Sequence, residues 1–186
     1  ESNSELLAGL VAGADADAVL RRTVSDEGAG VSDALSDSRD LGADVVVFTG
    51  GVSAGAYEPV KGALGGVLEF TTVAMQPGKP QGFGVTEDGI LVFGLPGNPV
   101  SAAVSFEVFV RPALLALQGR SELDRPLLRL PAAAGWRSPP GRRQYLPAVV
   151  DRSDPARWRV RPATEGGSAS HLAGALARAE AFAIVP

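Results

Sequence analysis

Cysteine is absent from the 186 residues, which excludes disulfides, thiolate metal sites and a cysteine nucleophile while leaving the compartment open. Histidine occurs once, as His171. No acid–histidine–nucleophile constellation can be built around it, so it reads as structural or solvent-facing. Lysine is nearly missing as well: Lys61 and Lys79 are the only two, every other basic side chain being arginine. Lysine is therefore not the general solubilising residue of this chain. No signal peptide and no apolar run of membrane-spanning length stands out, so a cytoplasmic protein without a membrane partner is expected. A formal charge of −4 and a pI near 5.0 argue against a general nucleic-acid surface. The opening ESNSELLAGL carries no initiator methionine, and the expectation is a piece of a longer protein.

What is present centres on Gly50 to Pro99. Three glycine-rich turns, GGVSAGAYEPVK, QPGKP and GLPGNPVS, each follow an apolar, β-branched run. That spacing predicts loops gathered at one edge of a sheet, where glycine lets backbone N–H groups approach an anion. Before them, Ser2 to Glu5 predicts a capping box opening a helix with Leu6, Leu7, Leu10 and Val11 on one stripe. Val19 to Val24 reads as a strand. Val31, Ala34, Leu35 and Leu41 read as the apolar face of a second helix. The unbroken run ADVVVFT suits a strand covered on both faces, and alternation of helices with strands implies an α/β fold with a mostly parallel sheet.

Further along, Pro59 fits the first position of a short helix. Val67 to Met75 is extended. Gly82 to Val85 and Ile90 to Phe93, joined by Glu87-Asp88-Gly89, predict a hairpin. A long helix from Pro99 should kink at Pro112 and close at Gly119. Phe70, Phe83, Phe93, Phe106 and Phe109 fit core positions. After the polar linker Arg120 to Arg125, the segments LLRLP, RQYLPAVV, WRVRPAT and AFAIVP predict strands of a small β domain, with LAGALARA a helical turn or a loop. The division expected is residues 1–119 for the α/β part and 120–186 for the β part.

Taken together, DVVVFTGGVSAGAYEPVK, VAMQPGKPQGFG and LVFGLPGNPVSAAVSFEVFVRPAL, in that order, resemble the molybdopterin molybdenumtransferase family, the MoeA proteins and the E domain of gephyrin. GRRQY and GGSAS, followed by the C-terminal AEAFAIVP, resemble the family's C-terminal barrel pattern. The resemblance implies a three-layer molybdopterin-binding α/β domain followed by a small barrel-like β domain. Two further N-terminal domains and a first α/β strand would precede what is seen here. The implied reaction inserts molybdate into adenylylated molybdopterin and releases AMP. Magnesium is the implied cofactor, with a homodimer as the implied assembly and a molybdopterin adenylyltransferase as a possible partner.

By resemblance, Asp26 and Glu58 match acidic functional positions, while Lys79, Arg142 and Ser168 match residues around the oxyanion pocket. Pro96 and Pro99 match the prolines of the LPGNP turn. Each choice has physical sense. Magnesium takes oxygen ligands, commonly one or two carboxylates beside substrate phosphates, which Asp26 and Glu58 could supply. Molybdate is a tetrahedral dianion, met by the Lys79 point charge and the Arg142 fork. Cleaving a phosphoanhydride is largely a positioning and electrostatic task. The GLPGNP turn opens a helix whose N–H groups could receive a phosphate, so Gly50, Gly51, Ser53, Gly97 and Asn98 are candidates for the nucleotide part, with Lys61 and Gln76 nearby in sequence.

Plainer readings stand beside these. Asp26 and Glu58 could be turn or helix caps, Arg142 and Lys61 solvated surface cations, Ser168 a turn hydroxyl and Asn98 a brace. The sequence also departs from the family: Ala56 replaces an acid, and Gln76 and Thr72 replace basic residues. Those losses keep a second function class open, a non-catalytic dimeric scaffold for pterin or a partner. The adenylyltransferase reading is opposed by GGVS and by the β segment after Arg120.

Overall fold

The computed structural model describes residues 2–24, 30–51, 59–164 and 173–186, with the side chains of 59–61 and 173 left aside. The elements run α1 (Ser2–Ala12), α2 (Gly30–Asp40), β1 (Val45–Thr49), α3 (Pro59–Leu64), β2 (Leu68–Thr72), β3 (Met75–Gln76), β4 (Pro80–Val85) and β5 (Leu91–Leu95). A long helix follows as α4 (Pro99–Ser105), a π-helical turn (Phe106–Val110) and α5 (Arg111–Leu117). The remainder is β6 (Arg143–Asp151), β7 (Arg159–Pro162), α6 (Ala173–Arg178) and β8 (Ala181–Val185).

The first sheet has the order β1-β5-β4-β2, and alternate side chains of β1 and β5 face opposite layers. Val46, Phe48 and Val92 pack with Val31, Ala34 and Leu35 of α2 and Leu64 of α3. On the other face Phe93 and Leu95 pack with Phe106 and Val110, against which Leu7, Leu10 and Val11 of α1 and Val45 and Val47 of β1 also lie. The run VVVF is apolar throughout because both faces are covered. The sheet is mixed rather than mostly parallel: β1 and β5 are parallel, while β4 runs antiparallel to both β5 and β2. The reason is the predicted hairpin, closed by Thr86 N–H to Ile90 O at 3.0 Å and by Gly89 at φ +91°.

Several expectations are corrected. Ser2 lies inside α1 rather than capping it, and Glu5 pairs with Arg21 instead of turning back. Val19 to Val24 is not a strand. It crosses the surface with Arg21 drawn to Glu5 and Arg22 to Asp37, and Val19 is 56% exposed. Leu41 falls beyond α2 and is exposed, as is Phe83, whose ring lies 5.0 Å from that of Phe93. The long helix does not simply kink at Pro112. The π turn ends there, with Arg111 N–H donating to Phe106 O, so the wider turn takes up the irregularity of a residue without an N–H. Gly119, at φ +76°, closes the helix as expected. Pro99–Leu117 does form 19 helical residues of mean hydropathy 1.7, long and apolar enough by composition to cross a membrane. Half of that stretch is buried inside the protein, which is how a core helix satisfies the same pattern.

Past Gly119 the linker is held down: Arg125 forks onto Glu107 with two bonds of 3.1 Å, and Arg111 donates to Leu123 O at 2.9 Å. LLRLP is not a strand. Leu127 and Leu128 are 79% and 69% exposed, and pairing nearby is limited to an isolated bridge from Ala132 to Val160. In the second sheet β6 is central, with β8 antiparallel along one stretch and β7 antiparallel along another. Its small core joins Leu146, Ala148 and Ala183 with Trp136 and Val160. Within LAGALARA, Ala173–Arg178 forms α6. β3, from the first half of the chain, pairs in parallel with β6, so the two sheets are stitched at Met75 and Gln76.

One ion pair yields a pH prediction. Arg39 of α2 bonds to Asp88 in the hairpin turn. This bond, then that from Thr86, holds the Asp88 carboxyl well below the usual carboxylate range. A depressed folded-state value means stability present above the unfolded value, near pH 4, and lost as pH falls through the folded one. Asp88→Asn is therefore expected to be less stable than the parent at neutral pH, with the gap closing in acid, in urea melts run at both pH values. High salt should shrink the gap, because the pair is solvent-exposed.

Candidate functional site

Strand register decides which turns meet. Thr49 at the end of β1 lies beside Leu95 at the end of β5. Gly82 of β4 lies opposite Gly94, and Pro80 opposite Thr72 at the end of β2. Gly50-Gly51 after β1, the GLPGNP turn after β5 and the PGKP turn before β4 therefore leave the sheet at one edge. Such an edge, outside the carboxyl ends of parallel strands, is where open α/β sheets bind ligands.

Two glycines make that edge shallow. Gly50 (φ +81°) and Gly51 (φ +68°) adopt a backbone that residues with side chains avoid. Gly50 N–H bonds to Leu95 O at 2.9 Å, and a Cβ on Gly97 would stand 3.2 Å from Gly50 Cα. Pro96 is buried, while Gly97 is exposed between it and half-buried Asn98 and Pro99. Asn98 is the helix cap. Its Oδ1 accepts from Val100 N–H at 3.1 Å and Ser101 N–H at 3.5 Å, and its carbonyl accepts from Ala102 N–H at 2.8 Å. Pro99 has no N–H, so the first turn of α4 is already satisfied. The N–H groups expected to await a phosphate there are occupied by Asn98.

Sequence reasoning missed Asn3. Its Nδ2 donates to Gly97 O at 2.7 Å, and it is only 4% exposed. The sequence offered only a polar residue at the head of an apolar stripe, and the partner, Gly97, lies 94 positions away.

The PGKP turn bridges the two sheets. Gln76 is on β3, and its Oε1 accepts from Arg142 Nη1 at 3.2 Å. Arg142 is half-buried and lies just before β6. Lys79 is exposed. Its carbonyl accepts from Val73 N–H at 2.8 Å, and no ion pair involves its ammonium among the described residues. Gln76 and Arg142 thus meet at the seam between the sheets, and Lys79 follows Gln76 by three residues in the turn that leads into β4. Lys61 is on α3, and its side chain is outside the described set. Asp26, Ser53, Glu58, Ser168 and His171 lie outside the described residues. Among the described residues no group of three or more His, Cys, Asp or Glu could hold a metal.

Residues 1–116 match the family model described as "Probable molybdopterin binding domain", and residues 129–186 match the one described as "MoeA C-terminal region (domain IV)". The chain belongs to the MoeA family. Among similar curated proteins, Molybdopterin molybdenumtransferase 2 of Mycobacterium tuberculosis (strain H37Rv) is 45% identical over 159 residues, covering 81% of this chain and 39% of the relative. Molybdopterin molybdenumtransferase of Haemophilus influenzae is 43% identical over 86 residues, covering 45% and 21%. This MoeA-family chain thus spans about two fifths of the length of the first relative. The fold matches the moeA molybdopterin biosynthesis protein of Pyrococcus horikoshii OT3 with a TM-score of 0.72 and 23% identity, over 99% of this chain and 41% of that one.

Proposed function

We propose that this chain supplies the catalytic part of a molybdopterin molybdenumtransferase, which inserts molybdate into adenylylated molybdopterin and releases AMP. The observation that carries the reading is the register of β1, β5, β4 and β2, which brings the glycine-rich segments that follow β1 and β5 and precede β4 to one edge, with an exposed Lys79 that has no ion-pair partner among the described residues. The names of the curated relatives support it. In this reading Lys79 and Arg142 receive molybdate, and Gln76 holds the Arg142 guanidinium by one nitrogen, leaving its other donors for the anion. Gly50, Gly51, Ser53, Pro96, Gly97, Asn98 and Pro99 shape the floor, with Asn98 bracing the turn. Lys61 and Ser168 complete the polar lining.

Asp26 and Glu58 are the proposed catalytic carboxylates and magnesium ligands. Both lie outside the described residues, and the roles assigned to Lys79, Arg142 and Gln76 do not depend on them. The division into residues 1–119 and 120–186, a homodimer, a cytoplasmic location and contact with a molybdopterin adenylyltransferase belong to the same proposal.

The test is AMP release by the full-length gene product from adenylylated molybdopterin, with and without molybdate. Release that requires molybdate is expected. Tight binding of the pterin with no release in either condition would make the protein a scaffold, and synthesis of the adenylylated compound from ATP would make it an adenylyltransferase.

A further inference from the structure

The PGKP turn is anchored from below by a side chain the proposed chemistry does not use. Gln81, on β4 two residues after Lys79, is 7% exposed. Its Nε2 donates to Gly78 O at 2.6 Å and to Ser105 Oγ at 2.7 Å. Ser105 is wholly buried at the end of α4. Gly78 has φ +95°, and a Cβ there would stand 3.0 Å from Ser105 Oγ and 3.3 Å from Gln81 Nε2. One amide thus ties the residue preceding Lys79 to the helix that follows the GLPGNP turn.

A buried primary amide needs partners to offset its desolvation. Leucine or methionine would fill the same space but leave the Gly78 carbonyl and Ser105 Oγ without this donor. What the amide adds is a fixed direction. With the Gly78 carbonyl held by Gln81 and the Lys79 carbonyl held by Val73 N–H, the peptide on each side of the Lys79 Cα is set.

We propose that Gln81 is a positioning residue for Lys79, holding its Cα so that the ammonium meets a tetrahedral oxyanion at the sheet edge. This rests on the reading that Lys79 receives molybdate. Ser105 is the second anchor, acting through Gln81. The requirement is for a side chain that donates two hydrogen bonds from one nitrogen, which methionine and glutamate cannot do.

The experiment is a mutant cycle in the full-length gene product, assayed by AMP release with molybdate and adenylylated molybdopterin varied separately. Gln81→Met is expected to raise the KM for molybdate about tenfold, less than the roughly 10²-fold that a full 1 Å misplacement of a group can cost, while leaving the KM for the adenylylated pterin unchanged. In a Lys79→Met background the same substitution should have no further effect on molybdate, since the group it positions is gone. Ser105→Ala, which keeps the Gly78 bond, should give a smaller shift of the same kind and covers the case in which Gln81→Met does not fold. The proposal is overturned if Gln81→Met changes both KM values alike, or if its full effect persists without Lys79. If Lys79→Met alone leaves the molybdate KM unchanged, the assignment of the anion to Lys79 falls, and the role of Gln81 with it.

Discussion

Lys79→Met in the full-length gene product is expected to lower kcat/KM for molybdate by about 10²-fold, the usual loss when one preorganised donor to an oxyanion is removed, with the melting midpoint unchanged. The two halves of that expectation have separate physical grounds. Stability should be indifferent because the fold uses only the Lys79 backbone: its carbonyl accepts from Val73 N–H, and its side chain is exposed. Activity should suffer because the chain has one other lysine and no basic residue at Gln76, so a dianion arriving at this edge meets few cations. Lys79→Arg keeps the charge but replaces a compact ammonium by a planar fork, and is expected to recover only part of the loss. Steady-state rates at fixed pterin and varied molybdate, beside a thermal melt, check both halves. A Lys79→Met protein with the parent's rate would remove molybdate from this edge.

The features legible in the sequence are those whose cause is local. A β-branched run without polar interruption needs cover on both faces wherever it goes, and β1 has it. Glu87-Asp88-Gly89 dictates a reversal by its own backbone preferences, and Gly119 ends a helix for the same reason. The three turns could be placed at one edge because each follows a strand. What failed depends on partners distant in sequence. Val19 to Val24 and LLRLP have strand-like composition, but a strand exists only beside another, and neither has a ladder partner among the described residues. Nothing near Met75 announces that it leaves the first sheet to pair with β6. The Asn98 side chain could be read as a brace, but not that it would use the N–H groups reserved for a phosphate. Gln81 was invisible because its worth lies in Ser105, 24 positions away. Of the candidate site, Gln76 and Arg142 are joined by a hydrogen bond and Lys79 is exposed in the turn between β3 and β4, whereas Asp26, Ser53, Glu58 and Ser168 lie outside what is described.

Gly84→Ala is expected to destabilise the protein by more than about 3 kcal/mol, beyond the ordinary range for a single substitution. Gly84 sits in β4 between Val92 of β5 and Leu68 of β2. A Cβ there would stand 2.0 Å from Val67 O, 2.8 Å from Val67 C and 3.1 Å from Leu68 Cα. All three are backbone atoms, so no rotamer change relieves the overlap, and β2 must separate from β4 where it begins. Gly82 is the internal control. Its Cβ would meet ring atoms of Phe70 at 3.0 and 3.1 Å and Leu68 Cδ2 at 3.2 Å, which are side chains able to give way. Gly82→Ala is therefore expected to cost only about 1 kcal/mol, toward the lower end of overpacking penalties. Urea unfolding of the two variants tests the contrast, and equal losses would refute it. The same pair separates folding from chemistry. Gly84 pairs at the end of the sheet away from Pro80 and Lys79, so Gly84→Ala molecules that remain folded at low temperature should turn over at the parent's rate. A deficit per folded molecule would mean that strain at the start of β2 reaches the PGKP turn through the strand itself.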